Sequence, residues 1–106
     1  MEEPPAIFKE AWSILGTLER HIDIIRILLA EQPLGIIKIS QETGIPEHKV
    51  RYSLRVLEEN DVIEPSKSGA RLTSGFMGNR LKVIEEAEKV SEEFRKFSLD
   101  LKKMLS

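Results

Sequence analysis

The chain has 106 residues, 41% of them hydrophobic and 32% charged, the balance of one folded globular domain and not of a disordered segment. It has no cysteine, which excludes a disulfide framework, a thiolate metal site and a thiol nucleophile. Sixteen Lys and Arg against eighteen Asp and Glu give a net charge of −2. A nucleic-acid partner would therefore have to be met by local concentration of basic residues, not by overall charge.

Met1 to Pro5 is an acidic, proline-containing leader, expected to stay mobile, without the basic and apolar regions of a signal peptide. No apolar run approaches the length of a membrane span, so the expected location is cytoplasmic. Ala6 to Ala30 reads as helix, with Gly16 as its one point of interruption. Phe8, Ala11, Leu15, Leu18, Ile22, Ile25 and Leu29 recur at three and four and make one apolar stripe, while Ile14, Ile24, Ile27 and Leu28 fall off it. A helix apolar on nearly every side is expected to be buried on nearly every side, its second half central in the core. Trp12 reads as a packing residue. His21, next to the stripe position Ile22, reads as a partly packed side chain. Glu31-Gln32-Pro33 stops the helix and Leu34-Gly35 links onward.

Ile36 to Glu42 predicts a short helix with Ile36 and Ile39 turned inward and Ile37 a third candidate. Gly44 stands where a closing helix needs a left-handed residue, and Pro46 where a first helical residue has no need of its N–H. The next helix is predicted from Pro46 to about Asn60, with Val50, Leu54 and Leu57 inward. Val62 and Ile63 begin a strand, Ser66 to Gly69 turn, and Ala70 to Thr73 return as its partner. Valine at Gly44 should strain the backbone, whereas Gly69, in a peripheral hairpin, should tolerate substitution better.

Either hydroxyl of Thr73 and Ser74 can cap a last helix, predicted from Phe76 to Leu105. Val83, Ala87, Val90, Phe94, Phe97, Leu101 and Met104 alternate spacings of four and three, a coiled-coil heptad seam. Glu85 with Lys89 and Glu92 with Lys96 are placed to pair on the outside. The seam can fold onto the chain's own first helix or onto a second copy. Length favours the second, since roughly 30 helical residues make a rod of about 45 Å, longer than a domain of this size needs.

The run GIPEHKVRYSLRVLEENDVIEPSKSGARLTS resembles the winged helix-turn-helix of small prokaryotic transcriptional regulators, notably archaeal ones, over roughly the middle half of the chain. The residues that carry the resemblance are Gly44, then Leu54 with Leu57 and Glu58, then Val62 with Ile63. It implies a mainly α fold with a small β-hairpin, the winged helix-turn-helix standing between long N- and C-terminal dimerisation helices. The corresponding division is 1–16 for leader and helical extension, 17–75 for the DNA-binding domain and 76–106 for the dimerisation helix.

Enzymatic chemistry finds no constellation. His21 and His48 lack a second ligand at helical metal spacing, the carboxylates Glu85, Glu86, Glu88, Glu92 and Glu93 are interleaved with lysines, and Gly75 and Gly78 do not form a phosphate loop. No cofactor or metal is expected, and the sequence names no effector ligand. Basic residues, by contrast, gather on the two elements that touch DNA in winged helices. His48, Tyr52 and Arg55 project from the outer face of the recognition helix, Lys49 and Arg51 flank it, and the wing adds Lys67 and Arg71. The acids Glu58, Glu59, Asp61 and Glu64 are expected beyond the groove-facing turns. The function expected is sequence-specific binding of double-stranded DNA by a homodimeric transcriptional regulator. The alternative is a winged-helix protein-interaction module without DNA binding.

Overall fold

The computed structural model describes residues 2–106, so Met1 of the leader lies outside the described residues. The molecule is mainly helical with one two-stranded antiparallel hairpin. A single 3-10 turn at Ala6–Phe8 leads into α1 (Lys9–Ala30), which runs through Gly16 without a break. One glycine costs a helix about 1 kcal/mol, too little to interrupt 22 residues.

The sequence predicts α1 to be buried on nearly every side, but the core takes one face of it only. His21, Ile24 and Leu28, spaced three and four apart, are buried, with Ile25 and Ile27 half-buried beside them. The stripe residues Leu15, Leu18, Ile22 and Leu29 are exposed. Two apolar faces are wound on one helix, and the shorter, richer in β-branched residues, is the one the core takes.

α2 (Ile36–Thr43) buries Ile39 and half-buries Ile36, while Ile37 points to solvent. Gly44 closes it with φ +77°, and its N–H donates to the Ser40 carbonyl. The turn is tied further by side chains: Thr43 Oγ1 donates to the Ile39 carbonyl and accepts from Ile45 N, and Ser40 Oγ donates to the Ile45 carbonyl at 2.6 Å. Pro46 stands one position outside α3 (Glu47–Glu59), not within it. Its extended ψ of 144° leaves its carbonyl to accept the first helical bonds, from Lys49 and Val50. α3 buries Val50, Ser53 and Leu57, and Asn60 and a left-handed Asp61 turn the chain away from it.

Strands β1 (Ile63–Ser66) and β2 (Gly69–Leu72) pair antiparallel with Ile63 opposite Leu72 and Glu64 opposite Arg71, joined by the two-residue turn Lys67-Ser68. Pro65 is accommodated because β1 is an edge strand. The hairpin is not peripheral. Leu34, in the linker after α1, bridges to Ala70 through two backbone bonds of 2.8 and 3.0 Å. Gln32 Oε1 accepts from Leu72 N at 2.7 Å. Gly69 has φ +128°, and a Cβ there would lie 2.3 Å from the Leu34 carbonyl carbon and oxygen. At Gly44 a Cβ would meet nothing within 4 Å. The expected tolerance of Gly69 is therefore overturned: its lack of a side chain is what lets the linker lie against β2.

Thr73 caps α4 (Ser74–Gly78), accepting from Phe76 N at 3.0 Å while donating to the Asp61 carbonyl. The single last helix that the sequence predicts is two. Gly75, Gly78 and Asn79 are weak helix formers, and the chain breaks at Asn79 before α5 (Arg80–Leu105). On α5, Glu85 and Lys89 pair at 3.4 Å as expected. Lys96 instead meets Glu93, one residue nearer than the expected Glu92.

The core consists of Ile24, Leu28, Leu34, Ile39, Val50, Leu57, Ile63 and Leu72, drawn from α1, the linker, α2, α3 and the hairpin. α5 contributes no buried residue. Its last turns come back beside the N-terminal 3-10 turn, where the Phe8 and Phe97 rings meet edge to face with centroids 6.2 Å apart. The radius of gyration, 16.7 Å, exceeds the roughly 13 Å of a compact chain this long, and the projecting helix explains the excess. Among the described residues, no helix is long and apolar enough to cross a membrane.

Candidate functional site

The core face of α3 fixes what its other faces present. With Val50, Ser53 and Leu57 turned inward, 100° per residue carries His48, Lys49, Arg51, Tyr52 and Arg55 to the surface, and all five are exposed. The hairpin stands beside α3 because Ile63 and Leu72 anchor it in the same core. Between them lies an open groove of about 680 Å³ lined by Arg51, Leu54, Arg55 and Glu58 of α3, the inner face and turn of the hairpin, and the linker residues Leu34 and Gly35.

This groove brings Arg51, Arg55 and Lys67 together. Four ion pairs occur among the described residues, and none involves a basic residue of α3 or the hairpin. Arg71 stands apart from the three. Strand alternation puts it on the other face of the hairpin, opposite Glu64, so an acid lies directly across the ladder from it. Glu58 lines the groove with Arg51 and Arg55, although the acids were expected beyond it. His48 and Lys49 lie on the outer surface, outside the groove lining. Arg51 also borders a second hollow with Gly35, Lys38 and Glu47, where Lys38 is paired with Glu42 at 3.2 Å.

Tyr52 is held from the side. The Arg20 guanidinium lies over its ring, 5.6 Å from the centroid, and Arg20 Nε donates to Ser53 Oγ at 2.8 Å. Next to Arg20, His21 is buried, and its Nδ1 has no hydrogen-bond partner among the described residues. Burial, and secondarily the charge of Arg20, hold its pKa below the ordinary histidine value of 6.5.

Arg20 and Ser53 are residues that sequence reasoning missed. Ser53 did carry a signal: it sits three after Val50 and four before Leu57, a polar residue on an apolar face in need of a partner. Arg20 carried none, because its partner lies 33 residues away.

Of the heptad seam, Val83, Ala87, Val90, Phe94, Phe97 and Met104 are exposed and Leu101 is half-buried. The first turns of α1 and the last turns of α5 border a shallow groove of about 350 Å³ lined by Phe8, Ala11, Trp12, Leu15, Phe94, Phe97, Ser98 and Leu101. Neither protein-family models nor curated proteins give a match to this chain.

Proposed function

We propose that the protein is a winged helix-turn-helix DNA-binding protein acting as a dimer in transcriptional control. On this reading α2 and α3 are the helix-turn-helix, α3 is the recognition helix and the hairpin is the wing. The observation that carries the reading is the open groove in which Arg51, Arg55 and Lys67 stand together without ion-pair partners, in a chain whose net charge is negative. A helix enters the DNA major groove, about 12 Å wide. The planar fork of Arg55 suits the O6 and N7 edge of guanine, and Lys67, at the tip of the wing turn, suits a phosphate. Two copies joined through the exposed apolar faces of α1 and α5 would present two such helices to successive half-sites.

The test is selection from random duplex DNA, followed by titration on selected and scrambled duplexes at several salt concentrations. Lys67→Ala should weaken both duplexes alike and flatten log affinity against log salt by about 0.9 per contact, twice that in a symmetric dimer. Arg71→Ala should change the slope less, because Glu64 already faces that side chain. Arg55→Ala should cost the selected site about 1–3 kcal/mol more than scrambled DNA. A protein that enriches no sequence and binds neither duplex, yet retains a protein partner, is an interaction module instead.

A further inference from the structure

We infer that Arg20, on α1 and outside the recognition helix, is a positioning residue that sets the orientation of Tyr52 for base discrimination. The inference rests on the DNA-binding reading above. Tyr52 is the only aromatic side chain on α3, and it is 46% exposed. A tyrosine so placed has a free choice of rotamers unless something takes that choice away. Arg20 takes it away from two directions. Its guanidinium covers one face of the ring at 5.6 Å, within the range of an attractive cation–π contact. Its Nε–H is committed to Ser53 Oγ, a fully buried hydroxyl on the next residue of the same helix. The guanidinium plane is thus fixed to the Ser53 side chain of α3 by one bond and to the Tyr52 ring by the other contact. With one ring face covered, Tyr52 has its other face and its hydroxyl left to offer a base.

The geometry needs a planar donor. Lysine would keep the charge but lacks the Nε–H at that point of the chain and the flat surface that lies on a ring. This separates positioning from simple attraction to phosphate, which lysine would restore.

The experiment uses the full chain and two readouts. The first needs no DNA: the Arg20 Nε–H resonance in a nitrogen–proton correlation spectrum. Tyr52→Leu should move it by removing the ring current, and Ser53→Ala should move it by removing its acceptor. If neither variant shifts it, the clamp does not exist in solution and the inference falls, whatever the DNA result. The second readout is the ratio of affinities for selected and scrambled duplex. Arg20→Ala and Tyr52→Ala should each lower that ratio about fivefold, the size of one exposed cation–π contact. The double variant should lower it no further than either alone, since the two side chains act as one unit. Arg20→Lys should fall with Arg20→Ala. Rescue by lysine, independent multiplication of the two effects, or equal weakening on both duplexes would each overturn the positioning role. An unmodified protein with the shifted resonance but no affinity for either duplex would sink the DNA reading and, with it, the discriminating part of this inference.

Discussion

The two halves of α1 belong to one continuous helix, yet the rest of the chain treats them differently. From His21 to Ala30 the helix meets α2, α3 and the hairpin, and Ile24 and Leu28 are wholly buried. From Lys9 to Arg20 nothing is buried, the apolar residues Trp12, Ile14, Leu15 and Leu18 lie at the surface, and Trp12 and Leu15 border a groove shared with an equally bare α5. The first region is complete within one chain: its core is closed, its turns are tied by side chains, and its hairpin is bonded to the linker. The second is an apolar surface that meets itself at Phe8 and Phe97 and borders an open groove of about 350 Å³. Large contiguous apolar patches on a protein surface are often sites of association, which is the ground for the dimer proposed above. Hydrophobic periodicity identifies an apolar face without saying whether, or by which molecule, it is covered.

Four measurements test that difference, beginning with the complete region. Gly69→Val combines a forbidden φ with overlap onto the Leu34 backbone. It should destabilise the fold by about 4 kcal/mol or more, since strain and overpacking each cost 1–3 kcal/mol. Urea denaturation reads this, and a loss below that of Gly44→Val would break the account of the hairpin as part of the core. Phe94→Glu acts on the incomplete region, placing a charge on an apolar face of the proposed interface. Self-association should weaken about a hundredfold, near 2.7 kcal/mol, while the far-UV spectrum keeps its helical shape. Sedimentation equilibrium reports it, and an unmodified chain that sediments as a monomer at micromolar concentration would remove the dimer. Gly44→Val should cost about 1–2 kcal/mol through φ alone, because the space beside Gly44 is open.

The smallest effect is one of pH at the boundary between the two halves. His21 is held neutral by burial and by Arg20, so the folded state binds fewer protons there than the unfolded chain does. The stability from keeping it neutral is fully present above the ordinary value of 6.5 and is lost as pH falls below it. The urea midpoint should therefore drop between pH 7.5 and pH 5.5, and His21→Leu should lessen the drop. An identical drop in the variant would assign it to other groups.

Much of the closed half was legible in the sequence, because local chemistry decides it. Gly44 signalled its turn, Val50 and Leu57 their helix face, and the Thr73-Ser74 pair a cap, of which the structure uses Thr73. Element order followed from these. What escaped was settled by contacts distant in sequence. Leu34 and Gln32 look like linker until β2 comes beside them, and that same approach reverses the ranking of Gly44 and Gly69. On α1, apolar residues on nearly every side predict burial on nearly every side, but periodicity counts residues and does not weigh which partners are at hand, and the core covers one face only. The clustering of basic side chains on α3 and the hairpin turn was legible. That Arg71 stands across from Glu64, and that Glu58 shares the groove with Arg55, depended on strand register and helix phase.

The amides of Leu34, Ala70 and Leu72 allow the hairpin's attachment to be timed. All three are bonded across the junction between the linker and β2. Each can exchange with solvent only when that junction parts, and the junction is continuous with the core through Leu34 and Leu72. Their protons should therefore exchange at one common slow rate, that of global opening, while the Lys67 amide at the turn exchanges freely. A hairpin attached in this way has no hinge of its own. Any motion of its tip toward a ligand has to come from the flexing of two short strands, not from a swing about their base.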